Sequence, residues 1–353
     1  MKRQLLGVAA ILLSISTYAQ DNPLWMRYCA ISPDGTTIAF TYKGDIYTVP
    51  STGGRASQIT TNPAHDTKPI WSPDGKKIAF ASDRMGSMDI FEVNKEGGIP
   101  KRLTTHSGNE TPVAYKDAGH ILFLANIMPT AEDAQFPSGQ FQQVYEVNTE
   151  GGRPILFSSM PMEDISINHT GNTLLYHDKK GYEDPWRKHH TSSITRDIWL
   201  CSLNGNRTFR KQTAFNGEDR TPVWASDDKS FYYLSEEKGS FNIFKRDIDG
   251  NTSKQITNHT KHPVRFLSAA SNGTLCYGYD GEIYTVKEGA IPQKVQISIV
   301  TDKNDKDLIR QIKRSGATEI SLSPDAKEIA FVLRGDVYVT STESVSYTHL
   351  RAH

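Results

Sequence analysis

Residues 72–84 read Ser72-Pro73-Asp74-Gly75-Lys76-Lys77-Ile78-Ala79-Phe80-Ala81-Ser82-Asp83-Arg84, and the fold follows from them. Proline presets φ at the second position of a tight turn, aspartate can bond the backbone ahead of it, and glycine accepts a positive φ. The turn is followed by a β-prone run, Lys77 to Ser82. Working outward, Pro69-Ile70-Trp71-Ser72 is a strand before the turn and Asp89 to Asn94 a third strand. A second turn at Lys95-Glu96-Gly97-Gly98 leads to a fourth, Lys101-Arg102-Leu103-Thr104. The unit is a four-stranded meander.

That unit recurs along the chain. Ser32-Pro33-Asp34-Gly35 and Ser323-Pro324-Asp325-Ala326 repeat the turn closely. Lys116-Asp117-Ala118-Gly119, Asn168-His169-Thr170-Gly171, Ser226-Asp227-Asp228-Lys229 and Ser271-Asn272-Gly273 repeat it loosely. A triplet of polar, β-branched and aromatic residues marks the third strand. It stands at Asp45-Ile46-Tyr47, Asp89-Ile90-Phe91, Gln143-Val144-Tyr145, Asp197-Ile198-Trp199, Asn242-Ile243-Phe244, Glu282-Ile283-Tyr284 and Asp336-Val337-Tyr338, at intervals of 44, 54, 54, 45, 40 and 54 residues. Four strands per unit at this period predict an all-β fold, a β-propeller. Six blades are expected over residues 22–300. A charged linker follows at 301–316, able to form a helix with Leu308, Ile309 and Ile312 on one face. The seventh copy at 317–343 either closes a seven-bladed ring or, the reading favoured because the linker interrupts the rhythm, is the first blade of a second, truncated propeller.

Composition narrows the function classes. Forty basic and 40 acidic side chains among 353 residues cancel, which removes the positive footprint of a nucleic-acid binder. The chain has 14 Phe, 15 Tyr and 5 Trp, enough to bury a core rather than stay disordered. Its 3 cysteines are no disulfide scaffold. Cys29, Cys201 and Cys276 fall in strands of three different blades and read as small buried hydrophobes.

Both ends read as separate from the fold. Met1-Lys2-Arg3, an apolar run from Leu5 to Leu13, and Thr17 and Ala19 before Gln20 predict a signal peptide over residues 1–19. The mature protein is then exported, periplasmic or secreted, with no membrane span left. Residues 344–353, with Val345 to His353 as their core, resemble the translation of a transposase-type sequencing-library adapter, so natural sequence is expected to stop near Glu343.

The 72–84 stretch looks like the repeat of the TolB-type, WD40-like (PD40) propeller superfamily, and the likeness extends from about Tyr28 to Thr340. The order of parts is similar to the N-terminal portion of tricorn-like proteases, S41-type serine peptidases. Its marks are the opening Leu24-Trp25-Met26-Arg27-Tyr28, the insertion from Asp184 to Thr191 and its continuation Ser192 to Trp199. That resemblance implies a six-bladed propeller, a seven-bladed one, a PDZ-like module and a catalytic domain. This chain would be about a third of such a parent, and no catalytic residue carries over to it.

The residues themselves suggest no independent active site. There is no Gly-x-Ser-x-Gly elbow, His-Glu-x-x-His or phosphate loop. Asp34, Asp74 and Asp325 sit in repeated turns, where a catalytic role has no reason to recur. No catalytic, cofactor-binding or metal-binding residue is therefore expected. The His189-His190 pair beside Asp184 and Glu183 lacks an identifiable third metal ligand. Two long insertions, 127–140 and 179–196, are expected to mark a binding face, with Trp186, Arg187, His189, His190 and Arg196 as contacts to a substrate or partner.

The function expected is substrate gating and guiding, with a scaffold role, in an exported tricorn-like serine protease that hydrolyses peptides. Its partners would be peptides or unfolded polypeptide and the rest of the parent; a homo-oligomer is left open. An alternative is a TolB-like, non-enzymatic exported propeller that binds a protein or peptide. A third reading is a dipeptidyl-peptidase-like enzyme whose propeller precedes an α/β-hydrolase domain.

Overall fold

The computed structural model describes residues 23–127, 141–182, 184, 186–187, 192–300, 315–343 and 347–348. The expected signal peptide, most of the expected linker, most of the tail, the greater part of the blade-three insertion and His189-His190 lie outside the described residues.

The described chain is all-β, organised in four-stranded antiparallel meanders. Blade 1 is Arg27–Ile31, Thr37–Tyr42, Asp45–Pro50 and Ser57–Gln58. Blade 2 is Asp66–Trp71, Lys77–Ser82, Asp89–Asn94 and Lys101–Arg102. Blade 3 is Thr111–Asp117, His120–Ala125, Gln143–Asn148 and Ile155–Ser158. Blade 4 is Met162–Ile167, Thr173–Asp178, Ile198–Ser202 and Thr208–Lys211. Blade 5 is Asp219–Trp224, Ser230–Ser235, Asn242–Asp247 and Ser253–Gln255. Blade 6 is Arg265–Ala269, Leu275–Tyr279, Glu282–Val286 and Gln293–Lys294. A seventh sheet follows: Ala317–Leu322, Glu328–Leu333, Asp336–Ser341 and Tyr347–Thr348. The first strand of blade 2 starts at Asp66, three residues ahead of the expected Pro69, because a bulge at its start breaks the two-residue alternation that sequence reading relies on.

The repeated turn is a small hydrogen-bonded device. Ser72 Oγ donates to Asp74 Oδ1 at 2.7 Å and accepts from Lys77 N at 2.9 Å, while Lys76 N donates to Asp74 Oδ1 at 3.1 Å. Ser323 and Asp325 repeat it at 2.6, 3.0 and 3.2 Å. The serine bond, then the backbone N–H, holds the Asp34, Asp74 and Asp325 carboxyls below the usual range. These aspartates are spent on turns, as expected of residues that recur.

The triplet aromatics are cross-strand partners. Phe40 faces Tyr47, Phe80 faces Phe91 and Tyr277 faces Tyr284, with ring centroids 5.8, 6.1 and 5.8 Å apart. Such pairs add to the area they bury. The threonine closing each fourth strand also recurs: Thr60, Thr104 and Thr257 Oγ1 each accept, at 2.9 Å, the N–H of the isoleucine in their own blade's triplet.

Each apolar cluster draws on two neighbouring blades. Blades 1 and 2 share Ala39, Ile46, Trp71 and Phe80, and blades 2 and 3 share Ile90, Leu103, Tyr115 and Phe123. Further clusters join 3 to 4, 4 to 5 and 5 to 6. The last joins blade 6 to blade 1 through Met26, Cys29, Phe40, Cys276, Ile283 and Ile297. Burial at every seam, the closing one included, makes the six sheets a ring.

A parallel ribbon reinforces that closing seam. Ile297–Ser298 pairs with Gly54–Arg55, and Gly54 N and Ala56 N donate to Gln296 O and Ser298 O at 2.8 and 2.9 Å. Gly53 is needed here: its φ is +91°, and a Cβ would stand 2.6 Å from Gln296 O. The opening segment contributes one bond, Met26 N to Gly281 O at 3.1 Å. The seventh sheet is different, since Ile320 and Leu322 are 72% and 59% exposed.

Candidate functional site

Every inner strand starts on the same face of the ring, and each carries a break in pairing register near that start. At the break, five blades place a non-glycine residue in the left-handed region: Tyr28 (52°), Lys68 (53°), Asp164 (49°), Thr221 (52°) and Phe266 (57°). Each such conformation costs on the order of 1–2 kcal/mol. Pairing on both sides of the bulge holds it in place, and the bulge re-aims the side chain.

The re-aimed residues touch those of neighbouring blades. The Tyr28 and Phe266 ring centroids are 4.8 Å apart, and Lys68 Nζ lies 5.7 Å from the centre of the Tyr28 ring. Thr221 Oγ1 donates to Asp164 Oδ2 at 2.7 Å. Inner strands line a propeller's axis, so these residues surround the axial opening. Its rim is aromatic and cationic over blades 6, 1 and 2, and hydroxyl and carboxylate over blades 4 and 5.

The connection between the second and third strands of blade 4 lies on this face. Arg187 anchors it with a fully buried side chain. It donates to Glu236 Oε2 and Oε1 at 2.7 and 2.9 Å and to Glu218 Oε2 at 2.9 Å. Arg196 donates to the other Glu218 oxygen at 2.9 Å, and Arg220 lies 3.4 Å from it. Burial alone would raise the Glu218 pKa; Arg220, Arg196 and Arg187 outweigh it and hold the carboxyl below the usual range. Glu163 behaves alike: burial pushes up, but the His177 and Lys179 bonds at 3.3 and 2.7 Å pull it well below. Thr221 N donates to His177 Nδ1 at 3.2 Å, which leaves Nε2 as the donor to Glu163.

With Arg187 fixed on blade 5, the preceding residue is carried toward blades 6 and 1. Trp186 lies between two guanidiniums, Arg27 at 4.8 Å and Arg265 at 5.1 Å from its ring centre, and edge-on to Phe266 at 5.9 Å. Arg265 also donates to Trp186 O and Arg187 O at 2.8 and 3.2 Å. Burial first, then the positive charges of Arg220, Arg27 and Arg187, lower the Arg265 pKa to about 10 against the pull of Asp184.

Of the expected contact residues, the structure brings Trp186, Arg187 and Arg196 to one mouth. The two arginines are buried in carboxylate bonds and hold the loop, whereas Trp186 is half-buried at the rim. His189 and His190 lie outside the described residues. Sequence reading missed Arg27, Tyr28, Lys68, Arg265, Phe266 and the acids Glu163, Glu218 and Glu236. A signal existed for part of the ring: Tyr28 and Lys68 each stand four residues before their Ser-Pro-Asp turns. Among the described residues, no group of three or more His, Cys, Asp or Glu is placed to hold a metal ion, and no helix is long and apolar enough to cross a membrane.

Fold and mouth together define a β-propeller domain. The chain belongs to the family described as the tricorn protease N-terminal β-propeller domain, whose profile matches residues 23–290. It is 25% identical over 281 residues to tricorn protease homolog 1 of Streptomyces coelicolor, covering 78% of this chain and 25% of that protein. It is also 25% identical over 339 residues to the tricorn protease of Thermoplasma acidophilum, covering 93% of this chain and 30% of the relative. A crystal structure of the tricorn protease superposes with a TM-score of 0.67 at 20% identity, covering 92% of this chain and 31% of that one. The chain thus spans between a quarter and a third of these relatives.

Proposed function

We propose that this propeller is the gating and substrate-guiding part of an exported tricorn-like serine protease, and that unfolded peptide is handled at the axial mouth. The observation that carries the reading is the position of Trp186. Arg187 is locked on blade 5 and the neighbouring Trp186 reaches Arg27 of blade 1, which seats an aromatic ring at the edge of the mouth. An opening ringed by side chains held in fixed bonds, with Trp186 seated at its edge, would admit an extended chain and exclude a folded one by size.

The mouth suits peptide handling because its groups are pre-organised. Aromatic faces and guanidiniums along one arc, with a carboxylate and hydroxyl on the other, offer stacking and hydrogen bonds without a deep pocket. Arg187 and Arg196 pair with Glu218 and Glu236, so the role of these four is to position. Hydrolysis would belong to further domains of a parent protein. The open apolar residues Ile320, Leu322 and Val337 of the seventh sheet are consistent with a first blade of a second propeller, as a lone sheet cannot bury its face. Export rests on the Met1-Lys2-Arg3 and Leu5-to-Leu13 pattern.

The test is binding and turnover on the purified chain. A fluorescein-labelled unfolded polypeptide should bind, its folded counterpart should not, and neither should be cleaved. Binding should change at least several-fold in Trp186→Ala. Cleavage that co-purifies with the chain, or equal binding of the folded and unfolded probes, would overturn the reading.

A further inference from the structure

The closing seam holds two thiols. Cys29 lies on the inner strand of blade 1 and Cys276 on the second strand of blade 6; both are buried, at 4% and 0% exposure, in the cluster that joins the two blades. One hydroxyl draws their backbones together: Ser268 Oγ lies 3.4 Å from Cys29 O and 3.5 Å from Cys276 O. The same Oγ accepts from Ile31 N at 3.0 Å. Cys29 Sγ is 3.5 Å from Phe266 O, and Phe266 lies in the same inner strand as Ser268. Cys201 is elsewhere, in the cluster between blades 3 and 4.

The geometry points to Cys29 and Cys276 as a disulfide-forming pair, a modification site that seals the ring covalently across its closing seam. The two residues come from opposite ends of the ring's chain, so the bond would close nearly the whole propeller into one loop, the arrangement that most restricts an unfolded chain. Both side chains already lie in the one buried cluster that joins blades 6 and 1.

The oxidant is a disulfide: oxidised glutathione, or the disulfide of a dithiol oxidase. One cysteine, as thiolate, attacks a sulfur of that disulfide and expels the other sulfur as a thiolate. The second cysteine thiolate then attacks the protein sulfur of the mixed disulfide; the Cys29–Cys276 bond forms and the remaining half of the oxidant leaves. The two cysteine sulfurs lose two electrons, the oxidant's sulfurs gain them, and the two protons given up by the cysteines reappear on the oxidant's thiols. Burial raises the Cys276 thiol well above its ordinary pKa, with Cys29 adding to the effect. Exchange therefore belongs to the open seam, before the ring shuts. This inference does not depend on the gating reading.

The experiment is oxidative refolding of the chain. It is diluted from denaturant into glutathione buffers, either fully reduced or containing the oxidised form, then alkylated in denaturant and weighed. Oxidative refolding should leave one alkylatable thiol, Cys201, and a non-reduced digest should show the Cys29 and Cys276 peptides joined. The thermal midpoint should rise by roughly 5–10 °C over the reduced form and fall back with reductant. Cys201→Ser should keep both effects and Cys276→Ser abolish both. Three alkylatable thiols after oxidative refolding, a crosslink through Cys201, or a Cys29–Cys276 bond that leaves the midpoint unmoved would each overturn the proposal. Thiol counting on the unaltered chain decides the matter even if a variant fails to fold.

Discussion

Arg187 and Glu218 meet at 2.9 Å with both side chains wholly removed from water. An ion pair so placed is costly to assemble and costlier to break, because removing one partner strands the other charge. Here a single guanidinium serves two carboxylates, Glu218 and Glu236.

Arg187→Ala should therefore destabilise the propeller by about 3–5 kcal/mol, the usual cost of an uncompensated buried charge. Urea denaturation monitored by circular dichroism measures it. A loss under about 1 kcal/mol would show that water reaches the two acids and that the loop is not anchored as described.

Trp186 should lose its cover when either flanking guanidinium is removed. Arg27→Ala is expected to weaken the seating of the ring by about 0.5–2 kcal/mol and to shift the emission of Trp186 to the red. The signal is isolated by subtracting the spectrum of Trp186→Phe. An unchanged emission maximum would mean that the ring does not rest on Arg27.

Two neighbouring glycines separate strain from collision. Gly53→Ala meets both a φ of +91° and the Gln296 carbonyl at 2.6 Å, whereas a Cβ on Gly54, at +121°, meets nothing within 4 Å. Gly53→Ala should cost more than Gly54→Ala by about 1–3 kcal/mol, seen as a lower thermal midpoint and earlier hydrogen exchange at Ala56. Equal losses would place the whole effect in backbone strain and none in the ribbon.

Two buried acids set a pH dependence of opposite sign from the paired ones. Burial first, then the charges of Asp197 and Glu237, raise Asp219 to about 7 against the Ser235 and Thr213 hydroxyls. Burial and Asp89 raise Glu110 to about 7 against Thr104 and Arg102. Between about pH 4 and pH 7 the folded chain keeps protons that the unfolded chain has released. Stability from these two groups therefore falls as pH rises through that window, and the penalty is complete above it. Glu163 and Glu218, held low, give stability that is present above about pH 4 and lost on further acidification. The Asp219→Asn, Glu110→Gln variant should flatten the decline and gain on the order of 2 kcal/mol per site at pH 8. Stability curves for variant and parent that run parallel from pH 4 to 8 would sink this account.

The blades were legible because their code is local. A turn such as Ser72-Pro73-Asp74-Gly75, the alternation behind it and the aromatic of the third strand all act within one meander, and each recurs at a readable period. The seams follow too, since a sheet with two apolar faces must bury both. What the sequence determined by itself is the blade and its repetition, through turn chemistry and hydrophobic periodicity.

The mouth belongs to the tertiary structure. Arg27, Trp186 and Arg265 are far apart in the chain and share no motif. They meet because blade 6 returns to blade 1 and a loop from blade 4 is pinned on blade 5. Left-handed bulges at Tyr28, Lys68, Asp164, Thr221 and Phe266 interrupt the very alternation by which strands are recognised. The closeness of Cys29 and Cys276 was hidden for the same reason: closing a ring brings its two ends into contact, and no local preference records which residues will face each other there.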